Sequence, residues 1–431
     1  MKSAGRTVNA DTGAGNQITD IQTFGAVLPN LVIESVIDPD RSNQLRLHTW
    51  DGSRFATKPT VSHCGCTYQP APIARGLTQV VRFPLASKPF GSAAKLTASM
   101  LAFLSRYANL RPDVAALLVA FALASWFVDC VPVAPILQLL GPGNEAGLAL
   151  RCLGCLCRRP VLLSRVDVPA LATLQSHVDA TLLISQRNLP RQVMGVLAAN
   201  DRHFCVARGD GQLHTYGAKA FSADPEFWSE IGVRVNLSPT LEPLPTLTDA
   251  DERETANDFQ AKLTRYRMVN HRSVAAADVD TQDFVSTMRD DVRAWLAPIG
   301  ECPDLQKTVS DCLLQQSREV EQTRLTDHRC VAAEAALFFC HRANTEHFFV
   351  GELGEKVNDL LKGRHEEDVL TDKKIGLLLR GLGIKGRRVV RGYRISLTDA
   401  VREKIHRVAQ AYQVAPMKDG IARCSHCLGK V

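Results

Sequence analysis

No apolar run in the 431 residues reaches the length of a membrane span. The longest, Val114 to Val128 (VAALLVAFALASWFV), closes at Asp129, short of the roughly 20 apolar residues a bilayer requires. It reads as a buried core helix. The opening stretch MKSAGRTVNADTGAGNQ lacks the apolar centre of a signal peptide, so a cytoplasmic location with no membrane partner is expected. Internal repeats and low-complexity tracts are missing. So are a nucleophile elbow, a zincin motif and a catalytic triad, and no common hydrolase site is written in the chain.

What is present is ordinary for a globular chain of two or three domains, with 45% hydrophobic and 22% charged residues. The thirteen cysteines are odd in number and scattered through helical patterns, which favours reduced thiols over a disulfide framework. Cys152, Cys155 and Cys157, in RCLGCLC, read as small buried hydrophobes.

The pattern changes along the chain. Residues 1–24 are rich in Gly, Asn, Thr and Asp without periodicity and read as a disordered tail. Residues 25–67 alternate apolar runs with turn signals, a small β segment. From 68 to 247, helical stretches alternate with short apolar strands: helices over 92–107 and 113–128, strands near 135–140, 160–164 and 180–185. That alternation predicts an α/β core with a parallel sheet. A helical connector follows over 248–347, where adjacent Asp290 and Asp291 read as a solvated face rather than an acid–base pair.

The stretch PILQLLGPGNEAGLALRCL, Pro135 to Leu153, has the outline of a phosphate-binding loop. Such a loop wraps phosphates with backbone N–H groups, and adds a lysine for the β and γ phosphates and a hydroxyl for Mg²⁺. Counted from Gly141 past Gly143, the lysine position holds Gly147 and the hydroxyl position Leu148. The strand that should end in metal-binding carboxylates is best matched by ATLLISQ, which puts Ser185 and Gln186 there. Two frames at sensible spacing, both stripped of their functional groups, point to an ATPase-like core without catalytic residues. The plainer reading is that Gly141 and Gly143 make a tight strand-to-helix turn. A helix N-terminus can still hold an anion weakly, so nucleotide binding without hydrolysis stays open, and no cofactor is expected.

The run LLVAFALASWFVDCVPVAPILQLLGPGNEAGLALRCLGCLCRRPVLL resembles the core of P-loop ATPases of bacterial and phage replication and mobile-element proteins, related to primase-associated helicases. The resemblance rests on SWF before the first core strand, GP at the loop and CRRP before the next strand. It continues through HTYGAKAFS and covers about two thirds of the chain. It implies a P-loop NTPase-like fold, and no catalytic residue carries over.

Residues 348–414 parse as helix, short helix, helix, hairpin and helix, the order of a winged helix-turn-helix. Thr371 caps DKKIGLLLRGL, RRVVR and YRISL flank a tight turn at Gly392, and Thr398 caps the final helix, where His406 reads as a packing residue. Between Lys373 and Arg407 stand eleven basic residues against Asp399 and Glu403, a net +9 in a chain of +6, so the remainder sums to −3. Basic charge so placed suits phosphate neutralisation. Lys373, Lys374 and Arg380 on the helix, with Arg387, Arg388, Arg391 and Arg394 on the wing, are the candidate contacts to duplex DNA.

GLGIKG, Gly381 to Gly386, matches a dinucleotide fingerprint but follows a helix and precedes a strand, the reverse of the required context. In the tail, 415–431, Cys424 and Cys427 offer two ligands at metal-binding spacing where zinc needs four. They read as ordinary thiols unless His63, Cys64 or Cys66 of HCGC completes a site. The expected function is a non-catalytic DNA-binding, replication- or mobile-element-associated factor. Two alternatives stand beside it: a helicase-like ATPase completed by a partner subunit, and a protein-interaction scaffold or homo-oligomer.

Overall fold

The apolar runs of the middle region become the strands of a five-stranded, all-parallel sheet. The computed structural model describes residues 19–38, 40, 44–73, 77, 80–187, 189–208, 211–213, 215–223, 231–239, 243–342 and 344–414. The chain divides into two units, Met1–Ser317 and Arg318–Val431. Across both, the fold is mixed α/β, with twelve α-helices among the described residues, and none of these is long and apolar enough to cross a membrane.

The first unit opens with seven strands: β1 (Thr19–Thr23), β2 (Gly25–Leu28), β3 (Leu31–Asp38), β4 (Gln44–Trp50), β5 (Phe55–Lys58), β6 (Val61–His63) and β7 (Cys66–Pro70). They form an antiparallel sheet β2-β3-β4-β5 and a three-stranded sheet β1-β7-β6. The HCGC motif is the turn between β6 and β7. His63 and Cys66 are directly paired, and Cys64 and Gly65 both have positive φ, +48° and +76°, the backbone of a two-residue hairpin loop.

There follow α1 (Ala93–Tyr107), α2 (Pro112–Ser125), β8 (Ile136–Leu140), α3 (Gly143–Leu156), β9 (Pro160–Leu163), α4 (Val168–Val178), β10 (Thr181–Ile184) and α5 (Arg191–Ala198). After these come β11 (Val206–Arg208), β12 (Gly211–Leu213), β13 (Lys219–Ala223), β14 (Val233–Asn236), α6 (Asp249–Ala275), α7 (Arg289–Leu296) and α8 (Pro303–Thr326), within which the first unit ends. Helix α2 starts on Pro112, where a missing N–H costs nothing, and is buried from Val114 to Ser125. Being apolar all round, it has no face to offer solvent, and the core takes it whole.

The parallel sheet has the order β14-β8-β13-β10-β9. Every residue of β8 is buried, as a strand covered on both faces must be. Leu137 and Leu139 pack with α2 and α3 residues such as Phe121 and Leu150, while Ile136 and Leu140 pack on the other face with Leu171 and Val193 from α4 and α5.

In α7 the expected solvated pair separates. Asp290 is exposed, but Oδ1 of Asp291 is buried with no hydrogen-bond partner among the described residues. Burial, reinforced by the charge of Asp290, pushes the Asp291 carboxyl up to about 6. A carboxyl raised in the folded state favours folding below its ordinary value and loses that contribution as pH rises toward 6. Asp291→Asn is therefore expected to gain about 1–3 kcal/mol at neutral pH. Melting temperatures across pH 4 to 7 check this, since the gain should vanish toward the acid end.

The second unit contains α9 (His328–His341), β15 (His347–Phe349), α10 (Val350–Gly363), α11 (Asp372–Gly381), β16 (Arg387–Val389), β17 (Gly392–Ser396) and α12 (Asp399–Ala411). Its strands form an antiparallel sheet β15-β17-β16. Thr371 and Thr398 cap α11 and α12 through their hydroxyls. Its core joins Phe348, Leu353, Ile375 and Ile395 to Val331, Ala335 and Phe339 of α9. A self-contained piece thus starts before Phe348.

Candidate functional site at the loop after β8 and on a basic helix–hairpin face

The C-terminal edge of a parallel sheet is where such folds place ligand loops. Here β8 passes into α3 through Gly141 and Pro142 alone, because α3 already begins at Gly143. Gly141 has φ +147°, and a Cβ there would lie 2.6 Å from the Leu237 carbonyl oxygen, so no other residue fits. Gly147 and Leu148 fall in the second turn of the helix, and neighbouring Ala146 is fully buried. The connection is too short to wrap a phosphate.

The end of β10 is occupied by protein contacts. Ser185 Oγ donates to the Leu163 carbonyl at 3.3 Å, and Gln186 Oε1 accepts from the Val166 N–H at 3.0 Å. Both neutral groups tie β10 to the segment after β9. The next residue, Arg187, went unread in the sequence. Its guanidinium donates to the Gly141 carbonyl and lies 3.5 Å from where a Cβ of Gly143 would stand. An exposed arginine thus covers the mouth of the short loop. At the opposite edge, Lys219 is buried at the start of β13 with its Nζ 3.4 Å from the Ala199 carbonyl, and burial lowers its amine to about 7.

A second cluster joins residues far apart in the sequence. Glu34, in the middle of β3, is 2% exposed, and three guanidiniums surround it. Arg158 and Arg267 donate to Oε1 at 2.7 and 2.5 Å, and Arg159 to Oε2 at 3.0 Å. Burial alone would raise the carboxyl; Arg158, Arg267 and Arg159 outweigh it and hold it at about 2.

Arg267 continues to Asp129, donating to both of its oxygens at 2.8 and 2.7 Å. His271 Nε2 lies 3.1 Å from Asp129 Oδ2 and 3.3 Å from Cys130 Sγ. A catalytic triad would need the acid on one ring nitrogen and the nucleophile on the other, whereas here both share Nε2 and Nδ1 is buried without a partner among the described residues. Burial, with Asp129 beside it, pushes the Cys130 thiol up to about 12. The same three residues offer ligand atoms within 4.8 Å of one another, but both Asp129 oxygens are committed to Arg267. The cluster's chemistry is that of a buried clamp between β3, the start of β9 and α6.

The candidate DNA contacts lie on two neighbouring elements of the second unit. Lys373, Lys374 and Arg380 are exposed on α11, whose other face buries Ile375 and Leu379. Arg387 and Arg388 on β16, Arg391 in the turn and Arg394 on β17 are all exposed. None of the seven makes an ion pair among the described residues. Arg387 stands directly opposite Arg394 in the ladder, and Arg388 opposite Tyr393. Tyr393 and Val390 are exposed beside them. Arg402, although in the same basic segment, is spent internally, donating to the carbonyls of Cys340, Thr345 and Leu397. Cys424 and Cys427 lie outside the described residues. His406, expected to pack, is instead one half of a polar pair with His341.

No family profile and no curated protein matches the sequence. Among solved structures the chain is similar to the A form apo structure of the NrS-1 C-terminal region, with TM-score 0.33 and 11% identity over 85% of this chain and 96% of that one. It is also similar to Drosophila ORC bound to DNA, with TM-score 0.19 and 13% identity over 76% of this chain and 94% of that one. Likeness at this level assigns neither fold nor activity.

Proposed function

We propose that this protein binds duplex DNA through its second unit, as a winged helix-turn-helix with α11 as recognition helix and the β16–β17 hairpin as wing, and that its ATPase-like core does not turn over nucleotide. The observation that carries the reading is the direct opposition of Arg387 and Arg394. Like charges facing each other across a ladder destabilise a hairpin, and no acid among the described residues pairs with either. An anionic partner supplies the missing charge. The seven exposed cations lie on a helix and on the hairpin that follows it in the chain, the two elements such domains lay against a duplex. The sheet order α3 enters, strand–glycine–helix on a parallel sheet, supports the ATPase-like ancestry. The replication association rests on the sequence resemblance.

The absence of turnover follows from chemistry at the sheet edge. Ser185 and Gln186 are neutral and bonded to protein, Gly147 and Leu148 sit inside α3, and Arg187 covers the loop. Phosphoryl transfer needs a held metal ion and an oriented nucleophile, and these residues supply neither.

Titration of the full chain with fluorescent duplex DNA, with and without Mg²⁺-ATP, tests both halves. With about five phosphates neutralised, log affinity should fall with log salt at a slope near −4 to −5, and nucleotide should change nothing. Folded protein without DNA affinity at low salt would promote the scaffold reading. ATP turnover lost on mutating Gly141 would promote the helicase-like one.

A further inference from the structure

Successive side chains on an α-helix stand about 100° apart, so each residue of α11 has a known direction around the axis. Ile375 and Leu379, which are buried, lie two positions before and after Leu377, about 160° from it on opposite sides. Leu377 therefore points directly away from the core. It is 56% exposed, whereas the adjacent Leu378 packs on the core of the unit. Lys374 and Arg380, three positions before and after, stand about 60° to either side of it, and Lys373 about 40° away. An apolar side chain thus forms the crest of the helix, with a cation on each flank.

The rest of that face narrows what the crest can meet. Lysine and arginine only donate hydrogen bonds. The acceptors at the start of α11 are turned elsewhere: the Thr371 hydroxyl accepts from the Lys374 N–H, and the Asp372 carboxylate faces α10, where a Cβ on Gly354 would lie 3.0 Å from its Oδ1. Donors flanking an apolar crest suit a groove with phosphates along its walls and a methyl group on its floor. In the major groove thymine presents its C5-methyl beside the O4 acceptor, whereas cytosine presents an amino donor that these side chains cannot satisfy.

We propose that Leu377 is a specificity-determining residue, which sits against the floor of the major groove and selects duplexes carrying a thymine methyl group where it lies, with Lys374 and Arg380 on the phosphates to either side. This rests on the duplex-binding reading above. It adds a base preference to a surface whose cations alone would bind any sequence.

The test measures the full chain by fluorescence anisotropy at one salt concentration. The probes are an alternating A·T duplex, the same duplex with deoxyuridine for thymidine, and an alternating G·C duplex with cytosine or 5-methylcytosine. Loss of the thymine methyl should weaken binding about 3- to 10-fold, the size of one buried methyl contact, and gain of the cytosine methyl should strengthen it by a similar factor. Leu377→Ala, a change at an exposed position to a better helix former, should bind each methylated duplex and its unmethylated counterpart alike, with the salt slope unchanged. Parent protein that binds duplex DNA but does not distinguish thymine from uracil would overturn this inference and leave the duplex-binding reading standing. Methyl discrimination retained by Leu377→Ala would overturn it too, by placing the methyl contact on another residue. Folded protein with no affinity for any of the duplexes at low salt would overturn both.

Discussion

Glu34→Gln is expected to destabilise the first unit by about 3–5 kcal/mol, the range found when one partner of a buried ion pair is removed. The glutamine keeps the shape of the side chain but leaves Arg158, Arg159 and Arg267 facing a neutral amide. Arg159 and Arg267 are each 1% exposed, so water cannot replace the lost charge. Urea unfolding followed by circular dichroism should show a lower midpoint with an unchanged slope. The pH dependence gives a second readout. The Glu34 carboxyl is held at about 2, below its ordinary 4.5, so its contribution is complete above 4.5 and is lost as pH falls toward 2. Over that window the parent protein should lose about 3 kcal/mol from this group, and the glutamine variant should lose none of it. A variant as stable as the parent at neutral pH would mean that the clamp is neutral in the balance of folding.

Replacing Arg387, Arg388 and Arg391 together with glutamine is expected to weaken duplex binding about 10²- to 10³-fold at low salt and to flatten the salt slope by about 2 to 3 units, because each phosphate contact accounts for nearly one. Stability should move the other way. With Arg387 gone, Arg394 no longer faces a like charge, a relief of about 0.2–1 kcal/mol. Affinity down with stability level or up separates a binding surface from a structural one, since a damaged fold would lower both. Fluorescence anisotropy and thermal melting on the same preparations decide the matter. Unchanged affinity in the triple variant would place the DNA contact elsewhere.

What could be read from the sequence was what neighbours along the chain decide. The run at 113–128 became α2 because eleven consecutive apolar residues, Val114 to Ala124, admit only burial, and the strands expected near 135–140, 160–164 and 180–185 are β8, β9 and β10. Thr371 and Thr398 declared their helices by capping chemistry. The features that escaped are products of apposition between distant segments. Nothing in NLVIESVI says that Glu34 meets an arginine from α6, although a lone acid in an apolar strand and the doublet Arg158–Arg159 were each a signal of buried charge. Asp291 was placed on the solvent side because helical spacing gives the angle between two residues and not the direction of the core. The insertion of β13 between β8 and β10 left no local trace either. Arg187 carries no motif, because an ATPase strand is expected to end in carboxylates and the group that meets the loop there has the opposite charge.

The Glu34 clamp also sets an order of events during synthesis. Its carboxylate emerges from the ribosome 124 residues before Arg158 and 233 before Arg267. Until α6 has been made, β3 carries a solvated charge in a strand that later becomes almost wholly buried, and the early sheet has no dry place to put it. Docking of the N-terminal strands is therefore a late step with a large loop-closure cost, of the kind that slows folding.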